Sequence, residues 1–314
     1  MRAQLWFIVM VAAAACGGNW SNRDVDFANA LPDRVVLKSK LPETATSTNP
    51  LTGVETRRDG LVVGDPSSAY ADTRAAQATF NKVIDDVLTL VEAIRKYPPT
   101  DRTDDSRTWG PFADEKNRGA EFRLVVTQSA DSTFHWSFEE HPANSADYFR
   151  IVSGEFRPTD NLKRGQGTMV VHVQEFRPHL GTDDSMKYVD QIDIGYVSDS
   201  YPLTVSMLYT FTPGNPEGFS TISFVSRKAE DGSGALQFTV ATPNNPKQLS
   251  TAYSASWLPS GAGRAAGVVQ AGEYAGATAT QCWSGAFLIT YYNEGWPAGM
   301  SSGNPADCVE VPGF

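Results

Sequence analysis

The chain has 314 residues, with 26 Lys and Arg against 36 Asp and Glu, a formal net charge of −10. That balance repels phosphate backbones and anionic headgroups, which excludes nucleic acid as a partner and electrostatic docking as the route to a membrane. Once a leader and a linker are set aside, the remaining length suits one large β domain.

In chain order, Arg2 precedes the apolar run Leu5 to Val11, and Ala13, Ala14, Ala15, Cys16 and Gly17 follow. The run is shorter than the about 20 residues a bilayer span needs, and the small residues at the cut site mark residues 1–15 as a removable export signal. These residues resemble the signal and lipobox of bacterial lipoproteins, although Ala13 stands where the lipobox usually has leucine. The resemblance implies a mature chain starting at a lipidated Cys16. With Gly17 rather than aspartate next, it implies retention at the outer membrane of a Gram-negative cell, facing the periplasm or the surface. Three acyl chains, at about 0.8 kcal/mol per buried CH₂, make such an anchor effectively permanent. With Cys16 assigned to lipid, Cys282 and Cys308 remain as a pair for one disulfide in an oxidising compartment. A catalytic or metal-binding thiol pair would need a C-x-x-C spacing and a nearby histidine, and neither is present.

Residues 16–69 are rich in Asn, Ser, Thr, Gly and Asp and broken by Pro32, Pro42, Pro50 and Pro66. They read as a flexible tether with one short extended piece at Arg34 to Lys38. The period then changes. Ala76, Phe80, Val83, Ile84, Val87, Leu88, Val91 and Ile94 form a stripe at three- and four-residue steps, which predicts an amphipathic helix over about 70–97, stopped by Pro98 and Pro99. Asp85, Asp86, Glu92 and Lys96 take the opposite face, so the helix is expected to lie on a sheet.

After a charged linker from Thr100 to Ser106 and a rigid Trp109-Gly110-Pro111 corner, the period becomes two. Alternation predicts strands near Phe122 to Thr127, Thr133 to Glu140, Tyr148 to Phe156, Gly167 to Phe176, Ile192 to Tyr196 and Leu203 to Phe211. Others are expected near Phe219 to Arg227, Leu236 to Val240, Thr251 to Trp257, Ala265 to Gln270 and Phe287 to Tyr292. Gly, Pro, Asn and Asp clusters separate them, and turns this short imply antiparallel neighbours. The expected fold is mainly β: one domain over 70–314, a large curved antiparallel meander, half-barrel or barrel-like, packed with the long helix. No repeat of fixed period stands out beyond the hairpin rhythm.

Motifs for chemistry are sparse. His135, Glu139 and His172 could meet as metal ligands, but their spacing matches no metal motif and they belong to a polar strand face, so no metal is assigned. Gly261 to Gly267 lies between two strands with the wrong spacing for a phosphate loop. There is no Gly-x-Ser-x-Gly elbow. The adjacent carboxylates Glu139 and Glu140 point to opposite faces of a strand, and Asp183-Asp184 reads as a solvated turn. The aromatic set is the one compositional hint toward a ligand. Trp136, Trp257, Tyr209, Phe211 and Phe238, with Trp283, Trp296, Tyr253 and Phe224, could line an apolar cavity or fill a core. No cofactor and no catalytic residue is nominated.

A helix with a long antiparallel meander is similar in architecture to half-barrel lipoprotein carriers and periplasmic lipid-binding lipoproteins. Gln281-Cys282-Trp283 and Asp307-Cys308 resemble segments of uncharacterised secreted lipoproteins. The expectation is a non-enzymatic, lipid-anchored envelope protein that binds an apolar ligand or a protein partner. A structural or assembly accessory working by surface contact is the alternative, and a hydrolase with an unrecognised site is a third.

Overall fold

A computed structural model describes residues 20–42, 61–114, 118–143, 145, 147–179, 186–216, 218–242, 250–295 and 299–314. The expected signal, Cys16, Trp296 and the Asp183-Asp184 turn lie outside these residues. The strands are β1 (Asp101–Arg102), β2 (Ser106–Ala113), β3 (Glu121–Gln128), β4 (Phe134–His141), β5 (Phe149–Pro158), β6 (Gly165–Val171), β7 (Val189–Val197), β8 (Leu203–Phe211), β9 (Thr221–Lys228), β10 (Gly234–Ala241), β11 (Ser250–Trp257), β12 (Gly263–Ala271), β13 (Thr278–Trp283), β14 (Ile289–Glu294) and β15 (Ser301–Gly303). They form one antiparallel sheet of 15 strands in chain order. The sheet is not closed, so the barrel alternative is corrected. Its end strands β1 and β15 have two and three residues, too few ladder bonds to seal a ring.

Among the described residues, four helices accompany the sheet: α1 (Asn22–Asn29), α2 (Arg34–Leu37), α3 (Ser68–Ile94) and α4 (Val173–Phe176). α1 and α2 correct the tether expected over 16–69 and the extended piece at Arg34 to Lys38. Ser21 caps α1 through a capping box with Asp24, and Phe27, Leu31, Leu37 and Leu41 are buried. The prolines bound short helices here rather than forbidding them. The strand expected over Gly167 to Phe176 is also corrected, because the ladder stops at Val171 and the chain coils into α4. β2 was hidden behind the linker and corner. A register shift between Trp109 and Phe112 absorbs Gly110 and Pro111, and Gly110 adopts φ +103°.

The chain divides into two compact units. One holds the chain up to Leu37, Val83–Ser200 and Tyr209–Thr212; the other holds Lys38–Lys82, Tyr201–Leu208 and Pro213–Phe314. In the first, Phe27 meets Phe134 edge to face at 5.4 Å, and the buried Asp24 carboxylate accepts from Arg102 and Arg107. Arg34 pairs with Asp85 and Glu92 of α3. In the second, the Gln281 side-chain oxygen accepts from the Ser67 hydroxyl at 2.6 Å and the Ala69 N–H at 2.9 Å. There the Tyr253 hydroxyl donates to the Ala69 carbonyl at 2.8 Å, and Phe80 lies 6.1 Å from Phe224. Cys282 and Cys308 form a disulfide with Cα atoms 5.3 Å apart.

A strand-turn-strand pattern that sequence reading missed occurs once in each unit. β3 and β9 span 121–128 and 221–228, and β4 and β10 span 134–141 and 234–241, a shift of 100 residues. The intervening turns share their backbone bonds and their aspartate contacts. Ser129 N–H donates to the Thr133 carbonyl and Ala229 N–H to the Ser233 carbonyl, both at 2.9 Å. Asp131 accepts from the backbone and hydroxyl of Thr133, and Asp231 does the same for Ser233. Ser132 and Gly232 both carry positive φ, 65° and 93°. The equivalence was masked because few residue identities survive: Leu124 and Phe224, or Val126 and Ser226, hold equivalent buried places with different side chains.

Both units also close large aromatic rings onto glycines directly opposite in the ladder. Trp136 covers Gly154 and Tyr196 covers Gly167 in the first unit; Trp257 covers Gly234 and Trp283 covers Gly263 in the second. A ring laid over a glycine fills the space its missing side chain leaves. A Cβ at Gly154 would meet the Trp136 ring at 2.7 Å and also collide with the Thr168 carbonyl. Gly154→Ala is therefore expected to destabilise by about 1–3 kcal/mol, the usual cost of overpacking. Gly267→Ala is the control, since its nearest neighbour would be Tyr253 at 3.7 Å, and it is expected to be neutral or to stabilise by about 0.4–1 kcal/mol. Equal urea midpoints for the two variants would contradict the ring-on-glycine account.

Candidate functional site

The expected ligand-binding aromatics are divided between the two units. Trp136, Tyr209 and Phe211 belong to the first unit, Trp257 and Phe238 to the second. Trp136 and Trp257 are 3 % and 1 % exposed and lie flat on their glycines. Tyr209 stacks on Phe211 at 6.4 Å, and Phe238 sits between Phe224 at 5.9 Å and Tyr253 at 4.8 Å. These rings pack the inner face, the side that in the second unit meets Ala69 and Phe80 of α3. The physical reason is pairing across strands: an aromatic opposite a glycine is a filled position, and the glycine is invisible as its partner until register is known.

On the opposite face of β10 to β13 lies an open groove of about 560 Å³. One row across it is Gln237, Ser254, Ala266 and Thr280, each opposite the next in register. The pleat turns these side chains away from the buried Leu236, Ala255, Ala265 and Gln281 beside them. Small side chains make the floor, and hydroxyls and an amide supply its polar groups. Among the described residues no Asp, Glu, Lys or Arg lines it, in a chain of net charge −10.

A second feature stands on the same kind of face in the first unit. The Ser153 hydroxyl on β5 is 2.8 Å from His172 Nε2. His172 Nδ1 is 3.4 Å from Glu175 Oε1, one turn on in α4. The backbone fixes both partners: His172 N–H donates to the Ile151 carbonyl at 3.0 Å, and Glu175 Oε2 accepts the Arg150 N–H at 3.1 Å. The Arg150 guanidinium is 3.7 Å from Glu175 Oε1. Burial pushes the His172 imidazole below its ordinary pKa; Arg150 adds to this, while Glu175 and Asp193 oppose it. With a carboxylate facing Nδ1, the neutral ring carries its proton there and leaves Nε2 free to accept.

The three residues weighed as metal ligands, and not assigned, take separate partners. His135 faces Glu155 at 3.9 Å, Glu139 pairs with Arg123 at 2.7 Å, and His172 takes Ser153 and Glu175. Glu140, on the inner side of β4, is pushed up to about 7 by burial and by the charge of Asp114. The strand expected over Gly167 to Phe176 carries His172, and nothing in the strand pattern singles out Ser153 or Glu175. The signal that could have found them was the break in alternation after Val171, where Val173 and Phe176 follow a helical step. Comparison with protein-family models, with curated proteins and with solved structures finds no match for this chain.

Proposed function

We propose that the protein is a lipid-anchored component of the cell envelope, held at the outer membrane through Cys16, and that it binds a protein partner through the neutral outer groove of β10 to β13. One observation supports a partner over an apolar ligand: Trp136 and Trp257 are shut against Gly154 and Gly234, so the inner face spends its volume on its own rings. The outer groove of β10 to β13 is open and, among the described residues, carries no charge, and its hydroxyl and amide groups exchange water for another polypeptide's backbone at little electrostatic cost. Contact through a face also suits an assembly accessory, since the two-residue β1 and three-residue β15 are poor templates for adding a strand. The half-barrel clasping α3, expected from the turn chemistry, is kept as part of this proposal. Binding of this kind needs no catalysis.

The test is Ser254→Arg in the groove against Thr168→Arg, an exposed position on β6. The native chain and Thr168→Arg, isolated from detergent-solubilised envelopes, are expected to retain a companion protein at fixed stoichiometry. An arginine buried without a counter-charge should weaken that association by about tenfold or more. Cys16→Ser should release the chain from the membrane. A lipid-sized mass retained in native mass spectrometry and lost on denaturation would replace the partner with an apolar ligand, and an intact membrane-bound Cys16→Ser chain would remove the anchor.

A further inference from the structure

We infer that Ser153, His172 and Glu175 form a nucleophile, base and orienting carboxylate able to transfer the acyl group of a small ester to water. This goes beyond partner binding and does not depend on the groove. The geometry meets the two requirements that define such a set: a nucleophile within hydrogen-bond reach of a base, and a base oriented by a third group. Ser153 and His172 Nε2 are 2.8 Å apart, and Glu175 faces Nδ1. Glu175 is itself fixed by the Arg150 backbone N–H, so the orienter is oriented.

The step balances without any cofactor. Ser153 Oγ attacks the ester carbonyl carbon while His172 Nε2 takes its proton. The bond to the alcohol oxygen breaks, and the imidazolium returns that proton to the leaving alkoxide. Water then attacks the acyl-serine with His172 as base, releasing the acid and restoring the hydroxyl. Glu175 stays ionised and stabilises the transient imidazolium.

The substrate class follows from where Ser153 stands. It lies on the open face of β5, with Ser137 opposite on β4 and Val170 opposite on β6. Val170 is the apolar side chain across the ladder from it, a contact that suits the small acyl group of a short ester. The charged groups around the imidazole are Glu175 on α4, Arg150 on β5 and Asp193 on β7. With burial lowering His172, the rate should rise through an acid limb centred below about 6.5 and be flat at neutral pH.

The experiment uses the full chain in detergent with two probes, p-nitrophenyl acetate and a fluorophosphonate. The expected result is one fluorophosphonate adduct, mapped to Ser153, with ester hydrolysis falling by roughly 100-fold in Ser153→Ala and in His172→Gln. Glu175→Gln should lower the rate and move the acid limb. A variant that does not depend on turnover is Ser153→Cys, whose thiol should alkylate with iodoacetamide faster than Ser137→Cys at the neighbouring position and lose that advantage when His172→Gln is added. No adduct beyond that of Ser153→Ala, adducts spread over several serines, or equal alkylation of the two cysteines would each overturn the assignment.

Discussion

Asp24→Ala is expected to lower the stability of the first unit by about 3–5 kcal/mol, the cost of breaking a buried ion pair from one side. The carboxylate has no exposed surface and the Arg107 side chain has 6 %. Arg102 and Arg107 both donate to it, and Arg107 lies 4.8 Å over the Phe27 ring. Removing Asp24 leaves the Arg107 guanidinium buried beside that ring without its counter-charge, and also removes half of the α1 capping box. A loss of this size is large against the 5–15 kcal/mol typical of a domain. Asp24→Asn keeps an oxygen for the Ser21 N–H and should fall between native and alanine. Replacing both partners, Asp24→Leu with Arg107→Met, should recover most of the loss, because the desolvated charge disappears along with its mate. A urea titration giving less than about 1 kcal/mol for Asp24→Ala would place the pair with ordinary surface bridges.

The same carboxyl gives a pH test. Burial alone would raise it, but the Ser21 N–H, Arg107, the Ser21 hydroxyl and Arg102 outweigh burial and hold it at about 2. A carboxyl lowered in the folded state adds stability above its unfolded value of about 4, and that contribution fades as pH falls through the folded value. The difference between native protein and Asp24→Asn should therefore be constant near neutrality and shrink between pH of about 4 and 2. Comparing against the variant removes the effects of Asp131 and Asp190, whose carboxyls are also lowered.

Alternation made the meander legible because a strand with one buried face must repeat every two residues. Leu203 to Phe211 and Leu236 to Val240 carry that pattern plainly. β13 does not, since Thr278-Ala279-Thr280 has little apolar contrast, and it forms because both neighbours pair with it. The Ser21 and Asp24 cap of α1 was present in the sequence but was outweighed by the proline and asparagine content around it. Ring-on-glycine pairs, the turn repeat and the Ser153 to His172 contact share a different cause of invisibility. Each joins residues through register, and register is a property of two strands at once. Ser153 and His172 are 19 positions apart, and they meet because β5 and β6 pair from Val152–Val171 to Pro158–Gly165.

Loss of the Cys282–Cys308 bond is expected to cost about 3–4 kcal/mol in the second unit, the chain-entropy value for a closed loop of this size, given a separation of 26 residues. Cys282 is fully buried on β13, and Cys308 follows the short 3-10 turn at Pro305–Asp307. The loop between them contains β14 and β15, the last strands of the sheet. Among the described residues, three residues of β15 cover the outer edge of β14 opposite Tyr291, Tyr292 and Asn293, while Gly64 and Asp65 pair with Ile289 at its start. So short a strand stays paired because the disulfide returns the chain to β13 immediately after it. Cys282→Ser with Cys308→Ala should therefore do two separable things: lower the urea midpoint of the second unit, and open the β15 segment to protease ahead of the rest. An uncovered β14 edge then offers backbone donors and acceptors to another chain, so the reduced protein should also self-associate with rising concentration. A bond acting only on the unfolded chain would lower the midpoint and leave the native cleavage pattern unchanged. Early cleavage confined to residues 299–314 would instead show that it also holds the sheet edge shut.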